Sequence, residues 1–167
     1  CVGRVAVEKN LEAFLSLDLP GTKMIIGDGP ALDGLKSRFP DAKFMGLIEN
    51  GKLAAHLAAA DVFVFPSLTD TFGVVQLEAL ASGVPIAAFP VTGPKDVVAN
   101  NPIGALNEDL RVACLEALNM SREACRNFAL GYSWENSARQ FIGNLQDIGA
   151  ARRARAAQIG AAAAAHS

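Results

Sequence analysis

The sequence predicts an α/β fold, a parallel sheet with helices on both faces, and three observations carry that prediction. Short apolar runs alternate with helical segments along most of the chain, the pattern that produces right-handed crossovers between parallel strands. The runs are almost uninterrupted by polar residues, as strands covered on two sides are. The glycines that end them fall at their carboxyl ends, where open parallel sheets hold ligands.

The elements follow in order. "CVGRV" reads as the first strand, and Asn10 to Leu19 as a helix with Leu11, Phe14 and Leu15 at helical spacing. "TKMIIGDG" is a second strand broken by glycines; Pro30 suits the first turn of a helix over 31–39. "AKFMGLI" is a short third strand, Lys52 to Ala60 an Ala-rich helix, and "DVFVFP" a continuous apolar strand closed by Pro66. Gly73 to Ser82 is helical, with Gly83 as its stop. "VPIAAFP" is a strand, "GPKDVVANN" a short helix and "IGAL" a last strand, followed by helices over 108–118, 121–130 and 134–148.

With 167 residues, 51% of them apolar, the chain can build one real core. The expected organisation is a domain over 1–149 and a low-complexity Ala/Arg tail over 150–167. The abrupt start at Cys1, directly in a strand, leads to the expectation of the C-terminal part of a longer protein. A net charge of −2 argues against nucleic acid as a partner. Three cysteines without metal-type spacing read as packing residues of a reducing compartment. No apolar run reaches membrane-spanning length. The basic cluster Arg152, Arg153 and Arg155 has two readings, contact with an anionic membrane surface or a solvated tail.

The stretch "FPSLTDTFGVVQLEALASG" concentrates the chemistry. On a helix starting near Gly73, Val74, Leu77, Glu78 and Ala81 share one face. The helix is apolar on nearly every side, so its inner face is expected to carry Glu78. An unpaired buried carboxylate costs several kcal/mol, so Glu78 must be hydrogen-bonded or face a cavity. Asp70 is open to two readings, helix N-cap or ligand contact, and Thr69 and Thr71 also qualify as caps. The amides of Phe72, Gly73 and Val74 would form an anion site at the helix start. Carboxylates accept hydrogen bonds from vicinal diols; together with an anion site they describe a sugar nucleotide. The pair Gly27 and Gly29 in "GDGP" is a weak phosphate signal, and turn geometry that shapes the crevice wall explains it as well.

A carboxylate, seven residues, then a glutamate, across a loop and a helix ending "EALASGVP", resembles the signature of the retaining glycosyltransferases of family 4, enzymes of the GT-B fold. Here the pair is Asp70 and Glu78, the variant with Asp first. The similarity continues through "VGRVAVEKN", "GDGP", "FMG" and "AADVFVFPS", from residue 2 to about 98. It implies that the chain is the C-terminal, Rossmann-like donor-binding half of such an enzyme, without the N-terminal Rossmann-like acceptor domain. Arg4 and Lys9 would clasp the donor diphosphate. Glu78 would accept the ribose hydroxyls and Asp70 hydroxyls of the transferred sugar. The amides of Phe72, Gly73 and Val74, beside Thr71, would meet sugar and phosphate, and backbone near Ile48 would edge the base.

The implied reaction moves a hexose from a UDP- or GDP-linked donor to a lipid or polysaccharide hydroxyl with retention at the anomeric carbon, needing no cofactor and no metal. The implied location is cytoplasmic, with peripheral contact at the inner membrane face. This half alone would bind donor without turnover. The competing readings are a non-catalytic nucleotide-sugar-binding module, an epimerase or phosphorylase of similar build, and an interaction domain of response-regulator type. A phosphorylase would need a lysine for pyridoxal phosphate in a recognisable motif, and a response regulator would need acidic residues where Arg4 stands.

Overall fold

The computed structural model describes residues 1–98, 101–145 and 149. The chain divides into two compact units, Cys1–Leu130 and Gly131–Ser167. In the second unit, residues 134–145 are helical. The tail expected from residue 150, with its Arg152, Arg153 and Arg155 cluster, lies outside the described residues.

The first unit alternates strands and helices and ends on two consecutive helices. The strands are β1 (Met24–Ile25), β2 (Lys43–Phe44), β3 (Phe63–Phe65), β4 (Ile86–Ala88) and β5 (Gly104–Leu106). The helices are α1 (Leu11–Leu15), α2 (Leu32–Arg38), α3 (Asn50–Ala58), α4 (Val74–Ala81), α5 (Thr92–Val98), α6 (Leu110–Ala117) and α7 (Arg122–Ala129). Every strand pairing is parallel, β1 with β2 and β3–β4–β5 in that order.

The expected first strand is reduced to one bridge, Val2 to Ile26. Its backbone nonetheless runs alongside residues 26–28, with the Gly3 amide donating to Ile26 O and the Val5 amide to Asp28 O. Chain contact is very close there. A Cβ on Gly27 would lie 1.8 Å from Gly3 O, and one on Gly29 would lie 2.3 Å from Val5 O. The helix expected over 10–19 ends at Leu15. Pro20 holds the preceding residue extended, and Lys23 Nζ donates to the freed carbonyls of Leu15 and Leu17.

Period-two alternation divides the core into two layers. Phe63 and Phe65 of β3, with Ile86 and Ala88 of β4, face one cluster with Leu80, Val97 and Cys125. Val64 and Ala87 face the other, with Phe14, Leu110 and Cys114. The sheet is thus buried on both sides, as uninterrupted apolar strands require. Cys114 and Cys125 are buried, and all three cysteines are free.

Helix α7 braces the outside. Arg122 donates to the carbonyls of Ala58 and Ala60, and Arg126 to the carbonyl of Ala81. Two arginines therefore satisfy carbonyls at the carboxyl ends of α3 and α4, groups that a helix cannot pair internally.

Candidate functional site

The helix α4 corrects the sequence reading of its faces. Its buried residues are Gln76, Ala79 and Leu80, whereas Val74, Glu78 and Ala81 are exposed. Of the four residues expected on one inner face, Val74, Glu78 and Ala81 look outward, and Leu77 is half-buried against the core. In a helix apolar on nearly all sides, hydrophobic spacing cannot choose which side the sheet takes. Glu78 therefore carries no burial penalty.

The capping reading of Asp70 also falls. The N-cap is Gly73, with φ 74° and ψ 77°, and no side chain caps the helix. The left-handed backbone favours glycine. Space demands it as well, since a Cβ would lie 2.7 Å from Cζ of Phe65. Asp70 is free to face elsewhere.

Asp70 faces a cavity of about 520 Å³ that opens where the first chain segment and β3 end. Arg4, Glu8, Lys9, Asp70, Gly73 and Glu78 all line it, over a floor that includes Ile25, Val64 and Phe65. Two cations and three carboxylates thus surround one space, reached from the first chain segment and the turn after it, the loop after β3 and the outer face of α4. Lys9 sits in a 3-10 turn, Val7–Lys9, closed by Asn10 in the left-handed conformation. The Asn10 side-chain amide donates to Pro66 O, tying this turn to the end of β3.

Within the site each cation is paired with a carboxylate. Lys9 Nζ lies 2.6 and 2.8 Å from the two carboxylate oxygens of Asp70. Arg4 Nη1 lies 3.7 Å from Glu8 Oε1, a looser and more exposed contact. Burial pushes the Asp70 carboxyl up, but hydrogen bonds from Lys9 and Ser67 and the Lys9 charge outweigh it and hold it below its ordinary value. Ser67 itself is buried, and its hydroxyl also lies 3.4 Å from Glu8 O.

Other sequence candidates lie apart from this lining. Thr71 and Val74 are exposed and Ile48 and Phe72 half-buried, and none of the four walls the cavity. Gly27 and Gly29 support it from behind, by letting the second chain segment approach the backbone of Gly3 and Val5.

Three residues escaped the sequence reading. Glu8 sits between two cations in "RVAVEK" and passes for a solvated charge. Gly93, at the start of α5, lies against the acidic loop so closely that a Cβ would come within 2.6 Å of Asp70 O. Gln76 is fully buried beneath Gly73. For Gly93 the only local signal is the "TGP" turn; for Gln76, a polar residue amid "VVQLEAL". Among the described residues, no group of three or more His, Cys, Asp or Glu converges as a metal site would need, and no helix is long and apolar enough to cross a membrane.

Comparison with known proteins places this chain in a family. The model of the family described as "Glycosyl transferases group 1" matches residues 1–120. Sulfoquinovosyl transferase SQD2 of Arabidopsis thaliana is 39% identical over 108 residues, 62% of this chain and 21% of that protein. A GDP-mannose-dependent alpha-mannosyltransferase of Mycobacterium tuberculosis is 32% identical over 167 residues, 93% of this chain and 44% of that protein. The chain thus spans less than half the length of these relatives. Among solved structures, the pneumococcal O-GlcNAc transferase GtfA, crystallised with UDP and GlcNAc, superposes with a TM-score of 0.69 at 18% identity, over 88% of this chain and 35% of that one. With a parallel α/β sheet and a charged cleft at its strand ends, the chain belongs to the group 1 glycosyl transferases and has the fold of their GT-B members.

Proposed function

We propose that residues 1–149 form the donor-binding domain of a retaining hexosyltransferase, with the acceptor domain on a separate stretch of a longer protein. The observation that carries this reading is the meeting of Arg4, Lys9, Asp70, Gly73 and Glu78 around one cavity. Two cations suit a diphosphate, carboxylates suit the hydroxyls of ribose and hexose, and a glycine at a helix start lets a ligand approach backbone amides.

In the proposed mechanism, Arg4 and Lys9 stabilise the negative charge that grows on the departing nucleoside diphosphate. Glu78 holds the ribose and Asp70 the transferred sugar. Glycosidase carboxylates flank the scissile bond from opposite sides. Asp70 and Glu78 instead belong to a single loop and helix, so they orient hydroxyls and leave proton transfer to the leaving diphosphate on the same face as the incoming acceptor. The proposed acceptor is a lipid or glycan hydroxyl, and the proposed location is cytoplasmic, with peripheral contact at the inner membrane face. One relative is named for GDP-mannose and one structural neighbour was crystallised with UDP, so both nucleotides belong in the test.

Calorimetric titration of this chain with UDP-glucose, GDP-mannose, UDP and GDP checks the proposal. The expected result is saturable binding of one nucleotide series, lost in Glu78→Ala. A folded chain that binds none of the four would overturn it.

A further inference from the structure

We infer that Gln76 is a positioning residue of the donor site, one that aims the Gly73 amide into the cavity. Its side chain is completely buried, yet only one end of its amide is used. Nε2 donates to Phe72 O at 2.6 Å, while Oε1 is buried without any partner. An unpartnered buried acceptor is destabilising, and the other buried residues of α4, Ala79 and Leu80, pack in an apolar cluster. A methionine or leucine would fill the space without that cost, so packing alone does not account for glutamine here.

The hydrogen bond to Phe72 O explains the choice. Gln76 leans back along α4, as helical side chains do, and its Nε2 lies beneath Gly73, 3.1 Å from where a Cβ would stand. It therefore draws the carbonyl of the Phe72–Gly73 peptide toward the core. In a trans peptide the amide N–H points opposite to the carbonyl. The Gly73 N–H is thereby turned away from the core, on the side where Gly73 lines the cavity. That amide has no hydrogen-bond partner among the described residues. Gly93 fixes the other side of the same loop, packed against Asp70 O and the Phe72 amide. Gln76 thus sets the orientation of one peptide, while the site's ionic residues are held by separate contacts.

This inference rests on the donor reading for its ligand but not for its geometry, and two variants and two readouts separate them. In Gln76→Met the pin is lost with little change of volume. Affinity for the nucleotide sugar falls about tenfold, and the melting temperature holds or rises because the orphan acceptor is gone. In Gln76→Glu a protonated carboxyl still donates to Phe72 O, whereas an ionised one cannot. Burial raises the pKa of such a carboxyl. Binding is therefore near wild type at about pH 5 and weakens toward about pH 8, relative to wild type at each pH.

A Met variant that binds as wild type does, or a Glu variant without that pH dependence, overturns the inference. If the Met variant does not fold, the Glu variant alone decides. If the wild-type chain binds no nucleotide sugar, the donor reading falls and amide NMR judges the pin. The Gly73 N–H resonance must shift in the Glu variant between the same two pH values and stay constant in wild type; an unmoved resonance refutes it.

Discussion

Lys9 and Asp70, separated by 61 positions in sequence, form a two-oxygen ion pair across the mouth of the cavity, with Nζ 2.6 and 2.8 Å from the carboxylate. In the proposed site the lysine meets phosphate and the aspartate meets sugar, so each is the other's partner until the donor arrives. Binding is then an exchange of partners, which limits the affinity that two cations would otherwise supply.

The exchange has a two-sided consequence. Lys9→Met is expected to weaken UDP or GDP binding roughly 10- to 100-fold, the loss of a charge-assisted hydrogen bond. Asp70→Asn frees the lysine, so the nucleoside diphosphate alone binds as well as before or better while the complete nucleotide sugar binds more weakly. Calorimetry with both ligands on both variants checks the opposite signs.

Acid should dissolve the pair. Asp70 is held below its ordinary carboxyl value in the folded chain, so its contribution to stability is present above about pH 4 and is lost as pH falls through the depressed value. Both side chains are about a quarter exposed, which keeps the contribution near about 1 kcal/mol or less. Urea titrations of wild type and Asp70→Asn at a series of pH values should show a stability difference that shrinks on acidification.

Glu78→Ala separates binding from stability. The side chain is exposed on the outer face of α4, so the unfolding free energy should change by no more than about 0.5 kcal/mol. Donor affinity should drop at least about tenfold. Loss of both would mean that Glu78 has a structural role.

Gly27→Ala does the reverse. With φ at 139° and a Cβ placed 1.8 Å from Gly3 O, the variant must push apart a pair of backbone segments. A loss of about 4 kcal/mol or more is expected, in the range reserved for core disruption and backbone strain. Chemical denaturation measures it.

The thiols should differ in reactivity. Burial pushes Cys114 up to about 11 and also raises Cys125, which keeps both protonated and shielded at neutral pH. A disulfide reagent added to the native chain should modify the half-exposed Cys1 first, and the other two only at the rate of unfolding.

Much of this molecule is legible without coordinates. The order of strands and helices follows from Gly and Pro punctuation, and the double-sided sheet from runs such as "DVFVFP". Lengths are less legible. In "TKMIIGDG" only Met24 and Ile25 form a regular strand, while Ile26 makes a single bridge to Val2 and Gly27 and Asp28 make isolated backbone bonds, and hydrophobicity does not mark where the regular ladder ends. The side of α4 that meets the sheet is hidden for a related reason: when every face is apolar, periodicity loses its contrast. Local motifs disclose most of the residue types around the cavity. Their mutual pairings, Lys9 with Asp70 and Arg4 with Glu8, depend on how distant or curled segments meet, and no local pattern encodes them. Gln76 stays hidden because its value lies in which peptide group it reaches.

The arginines of α7 set a lower limit on how far the chain can be trimmed. The family match ends at residue 120, a natural place to cut for a minimal domain, but Arg122 and Arg126 lie just beyond it. A protein ending there would forfeit the guanidinium groups that close off two neighbouring helices, one of which bears Glu78, together with the Cys125 and Ala129 side chains that wedge under them. The family-matched segment and the compact first unit, Cys1–Leu130, are therefore different lengths of the same polypeptide.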